Sequence, residues 1–266
     1  MLLSTPGFVL HTTPYGESAV VAKVFTRQLG MRSYLLKGVR GPRGRVKQNL
    51  LQPLSCVDMV VYDNPKRDLN YVKELSPRHP ERPDALPPSF SATLNALRFF
   101  MTEVLYKSLR EEEPMPDLFD YVESALLQIS FSPSSADFRP PTSDLRPPTS
   151  DLRPPTSDFP IVFLLAVLHH LGVEPLDNHS SRESLFDLQE GRFVATFTET
   201  TLPPALSALL HEYLSSAVCQ LSTFHFPLST FHSRRALLDA LIAYCQLHLS
   251  GFRQFNSHEI LHTILR

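Results

Sequence analysis

The chain has 266 residues, of which 42% are hydrophobic, and a formal net charge of -2 at pH 7. This composition is ordinary for a soluble globular protein, and the length suffices for more than one domain. The longest apolar run, residues 161–168, is far too short to cross a membrane, and three cysteines in no CxxC pair argue against a disulfide framework or a cysteine zinc site. We therefore expect a cytoplasmic protein that holds no metal or other cofactor.

Five short strands are predicted in the first 75 residues, with turn residues between them. They cover residues 7–13, 18–27, 32–40, 50–62 and 69–75. The second strand alternates with period two, so that valines and an alanine occupy one face while bases and an aromatic, Lys23, Phe25 and Arg27, occupy the other. Five short strands with little helix favour a small closed barrel, because closure removes the exposed edges of the sheet.

A proline-rich segment, SPRHPERPDALPPS, separates these strands from a helical part of the chain. Beyond it, apolar residues follow the three-and-four spacing of helices that face a core, including a helix over 233–249 and a last short one capped by Ser257. A small hairpin at about 184–196 turns at Glu190-Gly191. The sequence predicts an α+β protein, with the barrel in 1–76, a linker in 77–89 and a mainly helical domain in 90–266.

Two segments repeat with a period of seven residues. Residues 138–159 read FRPPTSD, LRPPTSD, LRPPTSD, F, and residues 221–233 contain LSTFHFP followed by LSTFHS. Paired prolines in every unit of the first repeat exclude a coiled coil. We predict a disordered insertion at about 131–158, with a proline-rich docking ligand as the alternative, and a loop expansion for the second repeat.

Charge is distributed unevenly along the chain. Residues 18–57 contain eight bases and no acid, which leaves 17 bases against all 27 acids elsewhere. A cluster of this size favours a polyanion as partner, because Lys and Arg release condensed counterions when they neutralise phosphates. The bases are Lys23, Arg27, Arg32, Lys37, Arg40, Arg43, Arg45 and Lys47.

We interpret this region as a nucleic-acid-binding surface. Phe25 lies beside bases on the second strand, and Tyr34 has the same parity as Arg32 on the third, so both aromatics are candidate platforms for unpaired bases. The alternative is a solvated hairpin whose charge only keeps the barrel soluble. The preference for Arg and the absence of interspersed acids favour the first interpretation.

Motifs for catalysis are weak. The chain has no phosphate-binding glycine loop followed by a helix, no GxSxG and no HExxH. His169 and His170 point about 100° apart on a helix, which suits one solvated and one partly buried histidine better than a metal pair. Cys245 and His248 share a helix face, but packing explains them better than a thiol and base pair. We therefore expect no enzyme.

Several stretches resemble RecO, a family of bacterial recombination and repair mediators. TPGFVLHTTPYGESAVVAKVFTRQLGMRSYLLKGVRG and LLQPLSCVDMVVY are similar to its N-terminal barrel, and FLLAVLHHLGVEP and SRRALLDALIAYCQLHLSGF to its helical domain. The resemblance implies an OB-fold that binds single- and double-stranded DNA and anneals complementary strands. It also implies partnership with RecR and single-stranded DNA-binding protein in loading RecA.

The chain departs from the family at two places. Many relatives carry a four-cysteine zinc motif after the segment that matches LGVEP, whereas residues 176–196 contain no cysteine, so we predict a hairpin there and no zinc. The family also docks the acidic tail of single-stranded DNA-binding protein on the helical domain. The bases expected before FLLAVLHHLG are absent from Asp158-Phe159-Pro160, so that site is not transferred to this chain.

Two alternatives to a DNA-binding mediator stay open at this stage. The barrel could meet an acidic protein tail, in which case the chain is an interaction scaffold. It could also bind RNA, because no base-reading motif separates RNA from DNA.

Overall fold

The computed structural model describes residues 2–39, 49–64, 66–78, 88–109, 113–131, 158–217 and 231–264. Four predicted DNA-binding bases lie outside these ranges, namely Arg40, Arg43, Arg45 and Lys47. Most of the predicted linker and of both repeats also lies outside them. No helix in the described ranges is long and apolar enough to cross a membrane.

Five N-terminal strands form a closed barrel. They are β1 (Leu2–Tyr15), β2 (Ala19–Thr26), β3 (Gly30–Leu36), β4 (Ser55–Tyr62) and β5 (Leu69–Pro77). The strands are ordered β1-β2-β3-β5-β4 around the barrel, and every pair is antiparallel except β3 with β5. The predicted barrel is therefore confirmed, and it fits an OB-fold.

The end of β3 and the start of β4 differ from the prediction by several residues, because of the backbone conformation there. β3 ends at Leu36 because the chain turns at Gly38, which has a φ of 70°. β4 begins only at Ser55, since Leu54 has a φ of 57°, which is incompatible with an extended strand. The Leu54 side chain is fully buried, and its N–H donates to the Val9 carbonyl at 2.7 Å.

The interior of the barrel is apolar. Val20, Ala22 and Val24 of β2 lie in its core, as the alternation predicts. Gly7 of β1 faces them so closely that a Cβ on this residue would lie 2.5 Å from a methyl carbon of Val24. Close approach of β1 and β2 therefore requires a glycine at this position.

Six helices lie in the described C-terminal part of the chain. They are α1 (Pro88–Ser108), α2 (Pro116–Phe131), α3 (Phe159–His170), α4 (Pro204–Ala217), α5 (Phe231–His248) and α6 (Ser257–Ile264). The predicted apolar stripes face the core: Leu97, Met101, Val104 and Leu105 of α1 are buried, as are Leu118 and Val122 of α2. The helical interpretation of this region is confirmed.

The barrel and the helices share one apolar core. Phe119 of α2 packs against Phe8 of β1, with ring centroids 4.7 Å apart, and against Phe25 of β2 at 5.7 Å. All three rings are at most 1% exposed. One part of the barrel's outer surface, on β1 and β2, is therefore an interface with the helical domain.

The predicted hairpin is present as β6 (Leu185–Asp187) and β7 (Arg192–Val194). Gly191 turns the chain with a φ of 70°. The buried carboxylate of Asp187 accepts the N–H groups of Gln189 and Glu190, both at 2.9 Å, and hydroxyl groups from the segment that follows β7. Polar contacts around Asp187 therefore hold the hairpin together.

Asp158, at the end of the predicted insertion, is packed in the helical domain. This last residue of the third RPPTSD unit is 1% exposed and accepts a hydrogen bond from the Tyr213 hydroxyl. Arg234 of α5 lies 3.7 Å from the same carboxylate. Its neighbours on α4 and α5 therefore fix Asp158 in the helical domain.

The N-terminus of α6 is capped by a side chain other than the predicted Ser257. The backbone N–H groups of Asn256 and Ser257 donate to the carboxylate of Glu103 on α1, at 3.2 and 2.7 Å. A carboxylate from another helix therefore satisfies N–H groups at this end, where the sequence predicts Ser257 as the cap.

Candidate nucleic-acid interface

The outward face of β2 does not meet solvent as expected. Phe25 is 1% exposed because α2 covers it, so its predicted role as a stacking platform is wrong. The Lys23 ammonium, two residues earlier, lies 5.4 Å from the ring centroid of Tyr106 on α1. Lys23 keeps an exposed side chain at the margin of this interface.

Arg27 forms an ion pair with the helical domain. Its Nε and Nη2 donate to the two carboxylate oxygens of Asp120 at 2.7 and 2.8 Å. The hydrogen bond from Arg27 lowers the pKa of Asp120, so the carboxylate stays charged. Arg27 is therefore engaged by a carboxylate in this structure, which argues against its predicted contact with phosphate.

Tyr34 is the second predicted platform that the structure contradicts. Its ring lies inside the barrel and is 0% exposed, because Tyr34 pairs with the interior residue Ala22 across β2 and β3. Desolvation raises the pKa of Tyr34, as expected for a buried phenol. Arg32 is half-buried, and its Nε donates to the Leu29 carbonyl at 3.3 Å.

Lys37 lies where the basic segment leaves the barrel. Its side chain is exposed, and its ammonium lies 5.5 Å from the ring centroid of Tyr71 on β5. Two residues later, the Val39 N–H donates to the Ser18 carbonyl at 2.9 Å, which ties the chain to the β1–β2 turn. The start of the basic segment is therefore fixed at one end of the barrel.

A cleft of about 460 Å³ opens at this end of the barrel. Val39 and Asn49, which directly precede and follow residues 40–48, both line it. The other lining residues are Thr12, Pro14, Val20, Leu51, Gln52 and Pro53. The four bases between Val39 and Asn49 are thus joined to the barrel at the cleft on both sides.

Two exposed tyrosines on β4 and β5 were missed by the sequence analysis. Tyr62 of β4 is 51% exposed and Tyr71 of β5 is 38% exposed. They pair directly across β4 and β5, and Lys37 lies over the second ring. The alternation of the fifth predicted strand, in which Tyr71 and Lys73 share a face, was the available signal.

An arginine joins the barrel to the helices near the opposite end of β4. Arg78 donates to Asp58 of β4 at 2.9 Å and to Glu123 of α2 at 2.5 Å. The Cys56 thiol lies 3.8 Å from the same Glu123 carboxylate. Burial, followed by the negative charge of Glu123, raises the pKa of Cys56 to about 12, so this thiol is protonated at neutral pH.

The cysteine and histidines that were considered for catalysis are explained by burial and by contacts with neighbouring residues. Cys245 is fully buried, and burial raises the pKa of its thiol to about 12, while His248 contacts the Leu188 carbonyl at 2.8 Å. His169 is exposed and His170 is half-buried, as predicted. Among the described residues, no group of three or more His, Cys, Asp and Glu side chains could hold a metal ion.

The sequence is similar to those of known DNA repair proteins. Residues 1–80 match the family model described as "Recombination protein O N terminal". The chain is similar to the DNA repair protein RecO of Phocaeicola vulgatus, with 27% identity over 98% of both chains. It is also similar to the RecO proteins of Azobacteroides pseudotrichonymphae and Porphyromonas gingivalis, with 24% and 27% identity over 99% of each chain.

Proposed function

We propose that this chain is a DNA repair and recombination protein of the RecO type, which binds single- and double-stranded DNA without catalysing a reaction on either. Its role is that of a mediator, which promotes annealing of complementary strands. With RecR, and on DNA covered by single-stranded DNA-binding protein, it helps to load RecA. The similar RecO proteins are named as DNA repair proteins, which supports a role in repair.

The observation that carries the proposal is the cleft at the end of the barrel. Val39 and Asn49 line it from both sides of a segment that contains four bases, and the exposed Lys37 lies just before that segment. Five positive charges within eleven residues suit a phosphodiester chain, which carries one charge at each nucleotide.

Annealing follows from the same electrostatics. Two complementary strands repel each other because both are polyanions, and a basic surface that neutralises phosphates on each lowers this repulsion. Phosphate contacts carry no sequence information, so such a surface serves any pair of complementary strands. A protein that acts in this way has no need of a nucleophile or a metal.

Charge reversal in the basic segment tests the proposal. We expect a variant with Arg43→Glu, Arg45→Glu and Lys47→Glu to lose most of its affinity for single-stranded and duplex DNA, as measured by fluorescence anisotropy. The matched control reverses three exposed arginines of the helical domain, Arg182, Arg235 and Arg253, and therefore has the same net charge. This control keeps most of the affinity.

Three results would contradict the proposal. The first is unchanged DNA affinity in the segment variant while its circular dichroism matches that of the wild type. The second is an equal loss in the control, which would show that net charge alone drives binding. The third is single-stranded RNA bound far more tightly than DNA of the same sequence, which would point to an RNA-binding barrel.

A further inference from the structure

The outer surface of the barrel has one side that the described helices leave exposed. On β4 and β5, Tyr62 and Tyr71 are directly opposed across the strand pair and are 51% and 38% exposed. Directly opposed side chains of an antiparallel pair have Cβ atoms about 5 Å apart. The two tyrosines are therefore neighbours on the outside of the barrel, and we call this pair of residues the tyrosine face.

Positive charge adjoins the tyrosine face. The Lys37 ammonium lies 5.5 Å from the centroid of the Tyr71 ring, within the range of a cation–π contact. Lys73 lies two residues further along β5, but it pairs with Glu74 at 3.3 Å, so it adds little net charge. Lys37 is therefore the base that would accompany a ligand on the Tyr71 ring, and the remaining bases follow it directly in the chain.

The usual ligand face of an OB-fold is partly closed in this protein. OB-folds bind oligonucleotides on strands 2 and 3 and the adjoining loops. Here Phe25 of β2 is covered by Phe119, and Arg27 is paired with Asp120. Exposed aromatic surface is found instead on the neighbouring strands β4 and β5, beside the strand that leads into the basic segment.

We propose that the tyrosine face binds unpaired bases of single-stranded DNA, with Tyr71 and Tyr62 as stacking surfaces and Lys37 as a phosphate ligand. An aromatic ring stacks on any base, which gives affinity without sequence preference. Bases within a duplex already stack on each other and are not free to use the rings. This inference rests on the proposed DNA-binding function, and it assigns the distinction between single strands and duplex to the two tyrosines.

A single tryptophan reporter tests the stacking directly, because the natural chain contains no tryptophan. We expect single-stranded DNA to quench the emission of Tyr71→Trp strongly, whereas blunt duplex DNA bound to the same variant quenches it little. The control Phe197→Trp replaces a ring that is 70% exposed in the helical domain, and its emission stays unchanged with either DNA.

Affinity provides the second readout. Tyr71→Ala lowers the affinity for single-stranded DNA by about 5- to 100-fold, while Tyr71→Phe, which keeps the ring, binds as the wild type does. Affinity for duplex DNA changes by less than about twofold in both variants. Each variant is first shown to unfold at the same urea concentration as the wild type.

The outcomes separate this inference from the function on which it rests. If the wild type binds no DNA, the proposed function fails. If the wild type binds DNA but single strands leave the Tyr71→Trp emission unchanged, the function stands and the tyrosine face is not a stacking surface. An equal loss of single-strand and duplex affinity in Tyr71→Ala would overturn the stacking role as well.

Discussion

The two sides of the barrel carry similar residues and have different surroundings. The outer face of β2 carries Lys23 and Phe25, and Arg27 follows directly after the strand. The helical domain covers Phe25, forms an ion pair with Arg27 and places the ring of Tyr106 beside the exposed Lys23. On β5, Tyr71 and Lys73 alternate in the same way and remain exposed. A base-and-aromatic pattern thus predicts which residues point out of a barrel, but the domain that packs on it decides which of them meet a ligand.

The largest expected effect concerns the side of the barrel that the helices cover. Phe119→Ala removes the ring that contacts both Phe8 and Phe25 and leaves a cavity between barrel and helices. We expect the free energy of unfolding to fall by about 3–5 kcal/mol in urea titrations. Phe197→Ala, at a position that is 70% exposed, changes it by less than about 0.5 kcal/mol. Similar losses in the free energy of unfolding for the two variants would mean that the helices do not pack on this side of the barrel.

Thiol labelling compares the two ends of a single strand, β4. Cys56 is packed beside Glu123 with a pKa raised to about 12, whereas Tyr62 is exposed. Both variants to be compared carry Cys219→Ser. The first keeps Cys56, and the second carries Cys56→Ser and Tyr62→Cys. We expect Cys56 in the first to react with a maleimide at pH 7.5 more than about tenfold slower than the introduced cysteine in the second. Equal rates would show that Cys56 is as accessible as position 62.

Replacing one base on each side of the barrel compares the contributions of the two sides to DNA binding. Lys37→Gln removes a phosphate contact, so the slope of log affinity against log salt for single-stranded DNA becomes less negative by about 0.7. Arg27→Gln leaves the slope unchanged, because Asp120 already holds that guanidinium. The measurement is anisotropy at four or more salt concentrations. A larger change for Arg27→Gln than for Lys37→Gln would reverse the assignment of the two sides.

The smallest effect is the pH dependence of the ion pair on the covered side. Arg27 lowers the pKa of Asp120, so the pair stabilises the fold above the ordinary Asp pKa of about 3.9 and loses this contribution as pH falls through the lower folded value. Asp120→Asn is therefore slightly less stable than the wild type at pH 7, and the difference shrinks once the pH falls below the lowered pKa of Asp120. A difference independent of pH, in urea midpoints, would indicate a packing effect.

The sequence predicted the architecture well because periodicity reports which side of an element is apolar. The inward residues of β2 and the buried stripes of α1 and α2 were identified by this signal alone. The strand ends were less accurate, since the left-handed backbone of Leu54 leaves no mark in the hydrophobic pattern. The role of Asp158 was missed because its partners Tyr213 and Arg234 lie far along the chain.

The predicted stacking residues failed for two different physical reasons. Phe25 does point outward, but the helix that covers it begins some ninety residues later, and alternation within a strand carries no information about it. Tyr34 points inward because it pairs with Ala22, so the register between the second and third strands would have revealed its position. Tyr71 was overlooked because its strand lies outside the acid-free region of residues 18–57, which carried the predicted site.

We propose that the barrel end and its basic segment bind DNA by neutralising phosphates. The most direct measurement is the affinity of the wild-type protein for single-stranded DNA across a salt series. About five phosphate contacts, one for each base from Lys37 to Lys47, predict a slope of log affinity against log salt of roughly -3.5. An affinity that does not change with salt, or the absence of binding at low salt, would contradict phosphate binding by this segment.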